Sequence, residues 1–147
     1  MNLFFILRLC VLAGFSVPLA VSDRGSRLAD LRVLAALLLV LSALCLPHTE
    51  LQHLAAALAV LAGLTMFRAL PLCRLGTGDI LYMTALVLTG GFGFFRITVL
   101  MACLAGIIPA LLCRSKKHSH PLPFITITAL CLPFAAAVQL CIELVKK

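Results

Sequence analysis

Six apolar runs separated by short polar breaks follow one another along the chain, over about residues 3–21, 33–47, 54–70, 80–95, 97–113 and 122–143. An apolar stretch of roughly 17 to 25 residues matches the hydrocarbon thickness of a bilayer when it is helical. The pattern therefore predicts six transmembrane helices, the second and fourth of them short. The first run ends at Val21-Ser22-Asp23-Arg24-Gly25-Ser26-Arg27. It has the outline of a secretory signal peptide, with Arg8 as the positive region and Leu9 to Ala20 as the core. More membrane follows it instead of a secreted domain, which favours a retained span. Pro121 and Pro123 suit the first turn of the last helix, where a missing N–H is tolerated.

Composition sharpens this picture. Of the 147 residues, 63% are hydrophobic and 12% charged, and the mean hydropathy is +1.19. A soluble domain of that size has no way to keep so much apolar surface from water. The expected fold is an all-α, polytopic transmembrane bundle in which residues 1–147 form a single integral membrane domain. The formal net charge of +7 raises the question of nucleic acid, but the basic residues form no single patch and there is one Tyr and no Trp. That distribution speaks against nucleic-acid binding and for retention of Lys and Arg in cytoplasmic loops.

Counting charges gives the orientation. One set of loops holds eight basic residues, Arg24, Arg27, Arg32, Arg68, Arg74, Arg114, Lys116 and Lys117, and the other holds four, Arg8, Arg96, Lys146 and Lys147. The excess places the first set in the cytoplasm and both chain ends outside. The loop with His48, Glu50 and His53 has no Lys or Arg, in agreement with an outer position.

Seven cysteines, Cys10, Cys45, Cys73, Cys103, Cys113, Cys131 and Cys141, are spread singly with no C-x-x-C pair. They are expected as small apolar residues of helix interiors, without zinc or disulfide chemistry. His118 and His120 lie in a basic loop with no acid or thiol nearby, the mark of a solvated loop and not of a metal site. No metal and no cofactor are expected.

The chemistry rests on the acids. There are five, Asp23, Asp30, Glu50, Asp79 and Glu143, and an ionisable group within a span is costly enough that it usually faces the protein interior and acts there. Glu50 and Glu143 fall in or near outer positions, where a solvated role accounts for them. Asp23 follows the first run and Asp79 precedes the fourth, so six spans bring both to the cytoplasmic membrane boundary at one depth. Two such carboxylates meet the minimum requirement of an aspartyl protease, in which the pair shares one proton. The ionised partner draws a proton from water while the protonated one polarises the scissile carbonyl, and the titration belongs to the pair. Asp79 sits in Leu75-Gly76-Thr77-Gly78-Asp79-Ile80-Leu81-Tyr82, where glycines let the backbone approach a substrate strand and a neighbouring helix. The plain alternative is an Asp that caps the start of a helix after a glycine turn.

At these residues the chain resembles the GxGD membrane aspartyl proteases, and within them the type IV prepilin peptidase and archaeal preflagellin peptidase family. Gly76-Thr77-Gly78-Asp79 is similar to the family's second motif, and Gly76 and Gly78 support it. Asp23-Arg24-Gly25-Ser26-Arg27-Leu28-Ala29-Asp30 resembles the first, an Asp at the cytoplasmic end of the first helix followed by basic residues and a hydrophobic-Pro-Asn/Asp element. Pro121-Leu122-Pro123-Phe124 resembles the element that opens the last helix. The likeness covers nearly the whole chain, but only the second motif is specific. The first lacks the proline and places Leu28-Ala29-Asp30 one residue early, so an ungapped alignment puts Ser22 in the catalytic position. A one-residue loop deletion restores Asp23, with Asp30 held in reserve as the first acid. If the helix continued to Asp30, the two acids would lie two turns apart on one face.

The resemblance implies an intramembrane aspartic endopeptidase of the cell (inner) membrane that cuts the leader of a prepilin-like or preflagellin-like protein. Asp23 and Asp79 would be the catalytic acids, with no cofactor, and the partners would be that substrate and the lipid bilayer. Large bacterial members carry a cysteine-rich cytoplasmic insertion and methylate the new N-terminus; this chain has no such insertion, so the resemblance carries proteolysis and not methylation. Presenilin-like peptidases share the second motif, but their greater helix number and their Tyr-Asp first motif do not fit. Two other classes compete: a small transporter or channel with Asp79 as a proton or ion site, and a non-enzymatic assembly protein. A protease needs pilin-like leaders encoded nearby, whereas a transporter needs none.

Overall fold

The computed structural model describes residues 3–26, 30–46, 51–70, 76–112 and 124–145. Among them there are five helices and no strand: α1 (Leu3–Ser26), α2 (Leu31–Cys45), α3 (Leu51–Arg68), α4 (Thr77–Leu112) and α5 (Phe124–Val145). Three stretches, Leu3–Asp23, Thr77–Ile107 and Phe124–Ile142, are long and apolar enough to cross a membrane. They mark the chain as a membrane protein. Large apolar side chains such as Leu39, Met66, Leu130 and Phe134 face outward, as a lipid-facing surface requires.

The six expected spans are corrected to five helices, because the fourth and fifth apolar runs belong to one element. Arg96 was placed in a loop between them, but it is an exposed residue within α4. A lone charge leaves the helical hydrogen bonds intact, whereas glycine does not hold helical φ/ψ by default. The interruption falls instead at Gly90 (φ −140°, ψ 17°) and Gly91 (φ 71°, ψ −172°), which kink α4 and leave a helical segment on either side. A straight helix of 36 residues would run about 54 Å, far beyond a hydrocarbon layer of about 30 Å.

The helices assemble around α4, which touches each of the other four. Its residues Tyr82 to Thr89 are buried without interruption, as happens when a helix is enclosed on every side. Leu12 and Leu19 of α1, Leu34, Leu37 and Leu41 of α2, Leu86 of α4 and Ile125 and Leu132 of α5 meet in one apolar core. Buried hydroxyls are satisfied within their own helices: Thr84 donates to the Ile80 carbonyl, Thr89 to Ala85, Thr98 to Phe94 and Thr128 to Phe124.

Arg8 is a second correction to the loop charges. It lies inside α1 and is 2% exposed. Its guanidinium Nη1 donates to the Leu88 carbonyl at 3.2 Å and to Cys45 Sγ at 3.5 Å, lies 3.4 Å from His53 Nδ1, and its Nε donates to Phe4. Carbonyls in the turn before a helix interruption lose intrahelical donors, and inside a membrane protein another group has to supply them. Arg8 does this for the turn before Gly90, and Cys45 Sγ also approaches Leu88 O, at 3.5 Å. We expect Arg8→Met to cost on the order of 1–3 kcal/mol, the penalty of stranding a buried acceptor, read as a lower unfolding midpoint in detergent. An unchanged midpoint would detach the guanidinium from the kink.

Pro121 and Pro123, the basic loop with Lys116 and Lys117, the His118 and His120 pair, and Glu50 lie outside the described residues.

Candidate functional site

Asp23 ends the apolar stretch of α1 and is 9% exposed. Backbone N–H groups of Thr126 and Ile125, in the first turn of α5, donate to its carboxyl. The first turn of a helix carries unsatisfied N–H groups and a partial positive charge, which favours a carboxylate there. Thr126 Oγ1 also donates to the Ala20 carbonyl at 3.3 Å, which fastens α5 to the last turns of α1. The other feature of Asp23 is its second oxygen: Oδ2 is buried and has no hydrogen-bond partner among the described residues. Buried polar atoms in that state are rare and call for a functional or structural account.

Asp79 lies in the first turn of α4 and is half-buried. The Gly76 N–H donates to its carboxyl, and Ile80 N–H donates to the Gly76 carbonyl at 3.2 Å. Gly76 thus stands at the cap position and Asp79, the third helical residue, reaches back to it, which is the carboxylate half of a capping box. A methyl built on Gly76 would stand 3.1 Å from Asp79 Oδ2, so the missing side chain is what lets the carboxyl fold back over the turn. Gly78 is half-buried between them. The helix start is held from outside by Arg68, the last residue of α3, whose Nη1 donates to Thr77 Oγ1 at 2.6 Å.

Helices α1 and α4 bring the two carboxyls into electrostatic range of one another. Asp23 is near enough for its charge to act on Asp79, although 56 positions separate them in the chain (79 − 23). Asp30 takes a different place: it is exposed, and its Oδ1 accepts from the Arg32 N–H at 2.9 Å as the N-cap of α2. With φ −66° and ψ 108° Asp30 is extended, so it is not a helical residue continuing α1 on the face of Asp23. Asn caps a helix as well as Asp does, so Asp30→Asn is expected to leave stability unchanged within about 0.5 kcal/mol, whereas Asp30→Ala costs about 1 kcal/mol; thermal unfolding of both variants checks the pair.

A cavity of about 620 Å³ runs between α1 and α5, lined by residues such as Ala13, Ser16, Ala20, Val21, Thr126 and Pro133. Ala20, Val21 and Thr126 belong to the turns that carry and fix Asp23. The lining is almost wholly apolar. Among the described residues, no three His, Cys, Asp or Glu side chains gather as a metal site.

Sequence reasoning named the two acids and their glycines but missed the groups around them: Thr126 and Ile125 at Asp23, Arg68 on Thr77, and a buried pair, Ser16 and Tyr82. The proline-rich approach to α5 signalled a helix start, but nothing in the chain tells which carboxyl that start would face. No family model, curated protein or solved structure matches the chain.

Proposed function

We propose that the protein is an intramembrane aspartic endopeptidase that removes the leader of type IV prepilin-like or preflagellin-like proteins, acting as a multi-pass protein of the cell (inner) membrane with its site at the cytoplasmic boundary. The observation that carries this is the meeting of Asp23 and Asp79, two acids from the ends of different helices, in a chain with few acids. Where two carboxylates are near enough to interact, one is protonated more readily than the other, and in the proposed reaction the ionised member takes a proton from water as the water attacks the scissile carbonyl. The protonated member hydrogen-bonds the carbonyl oxygen and stabilises the charge that develops there. Capping alone accounts for Asp79 but not for a buried second acid beside it.

The resemblance supplies the substrate: a leader, commonly with Gly before the cut, that ends where an apolar stretch enters the membrane. A basic leader meets a chain of net charge +7 and must approach the acids themselves. The test is co-expression with a prepilin-like substrate, read as a mobility shift and a new N-terminus. No cut in any such substrate, or a cut confined to leaders without basic residues, would count against the assignment. Gly76→Ala should slow processing about tenfold, because a misplacement of about 1 Å costs about a hundredfold and the Asp79 carboxyl has to give way by less than that. Its protein level should stay normal; unchanged processing would show that the Asp79 carboxyl tolerates displacement.

A further inference from the structure

Tyr82 and Ser16 join the helices that carry the two acids. Tyr82 lies three residues beyond Asp79 on α4 and Ser16 seven residues before Asp23 on α1, one and two turns away. Both are buried, Tyr82 at 0% and Ser16 at 3% exposure, and their hydroxyl oxygens stand 2.6 Å apart. Ser16 Oγ is also 2.7 Å from the Leu12 carbonyl, which only accepts. A serine has one proton to give. That proton goes to Leu12, so the Tyr82 hydroxyl donates to Ser16 Oγ and the bond has a fixed direction.

Around this bond the contact between α1 and α4 is built from side chains such as Leu12, Leu19 and Leu86. Apolar packing tolerates small slides of one helix along another, whereas the hydroxyl pair, 2.6 Å apart, leaves the range of an O–H···O hydrogen bond, about 2.5–3.0 Å, after a slide of about half an ångström. We propose that the Tyr82–Ser16 hydrogen bond is a latch that sets the register of α4 against α1 and thereby holds the Asp79 and Asp23 carboxyls at their working separation. Tyr82 is then a positioning residue; this role rests on the peptidase assignment above. The other elements present no further carboxylate to the pair among the described residues. The start of α5 offers backbone N–H groups, α3 offers Arg68 on Thr77, and the exposed start of α2 carries Asp30 and Arg32.

The test uses the full chain in detergent, with Tyr82→Phe, Ser16→Ala, their combination, Ser16→Thr, and Asp79→Asn as reference. Two readouts run in parallel: leader processing across pH, and infrared titration of the carboxyl band, which needs no activity. Tyr82→Phe should lower kcat about tenfold with KM unchanged, and its two titration steps should lie closer together, as for a less tightly coupled pair. Ser16→Ala should be worse, because it strands the buried Tyr82 hydroxyl without an acceptor. Adding Tyr82→Phe to it should give part of the activity back. Ser16→Thr should restore most of what Ser16→Ala loses, since it keeps the hydroxyl and its methyl has the α1–α5 cavity beside it.

A mere loss of folded protein scales activity without moving either titration step, and that result overturns the latch. So does Tyr82→Phe with unaltered kcat and titration. A parent chain that cuts no leader while Tyr82→Phe still narrows the carboxyl titration sustains the latch and removes the peptidase assignment instead.

Discussion

Asp79→Asn is expected to abolish leader processing, by about a thousandfold or more, while the protein stays in the membrane at its normal level. Asn keeps the size of the side chain and its carbonyl oxygen still accepts from the Gly76 N–H, so the start of α4 is preserved. What is lost is the exchange of a proton, which accounts for about a hundred- to ten-thousandfold in general acid–base catalysis. Asp23→Asn should do the same, since its oxygen keeps the Thr126 and Ile125 donors. Asp30→Asn should show partial loss at most, in keeping with a carboxyl that caps α2 in solvent. Processing assays on the three variants separate the outcomes. A dead Asp30→Asn beside an active Asp23→Asn would hand the first acid to Asp30, and full processing by Asp79→Asn would end the aspartyl mechanism.

The second large effect is on folding, at the kink of α4. Gly91 adopts φ 71°, a left-handed conformation that strains any side chain, and a methyl there would stand 3.1 Å from His53 Nε2. Gly90 is closed for a different reason: a methyl would meet Phe94 Cβ at 2.6 Å and the Phe5 ring at 2.8 Å, two rings packed edge to face at 5.8 Å. Gly91→Ala should cost about 1–2 kcal/mol from backbone strain, and Gly90→Ala about 1–3 kcal/mol from overpacking. Each variant should unfold in detergent well before the parent. If Gly90→Ala matched the parent, the Phe5–Phe94 contact would have to yield more easily than its geometry indicates.

The acids were legible because the membrane makes them scarce: an Asp at the edge of an apolar run has few plain explanations, and the glycines before Asp79 marked a helix start. Asp23 and Asp30 are not separable from the chain alone, since nothing in the sequence tells that Asp30 leaves helical φ/ψ to cap α2. The span count failed at Arg96 for a physical reason. Hydropathy registers a charge as an interruption, but the backbone is interrupted by residues that leave helical φ/ψ, and the adjacent pair Gly90 and Gly91 gave that signal five to six residues earlier. Arg8 was misplaced by the same habit of assigning charge to loops. The Ser16–Tyr82 bond was out of reach because it depends on how two helices are rotated against one another.

The enclosure of Tyr82 to Thr89 bears on how the chain is made. Lipid supplies few of that segment's contacts, and it carries three hydroxyl side chains, Tyr82, Thr84 and Thr89, that suit a protein interior better than acyl chains. Synthesis delivers α4 before α5, so for a time one flank of α4 waits in the bilayer without the neighbour that will cover it. The arrival of α5 closes that flank and, through Thr126 and Ile125, captures Asp23 in the same step. Completion of the membrane bundle and arming of the candidate site are then one event, and nascent chains halted before Phe124 hold both acids in an unfinished setting.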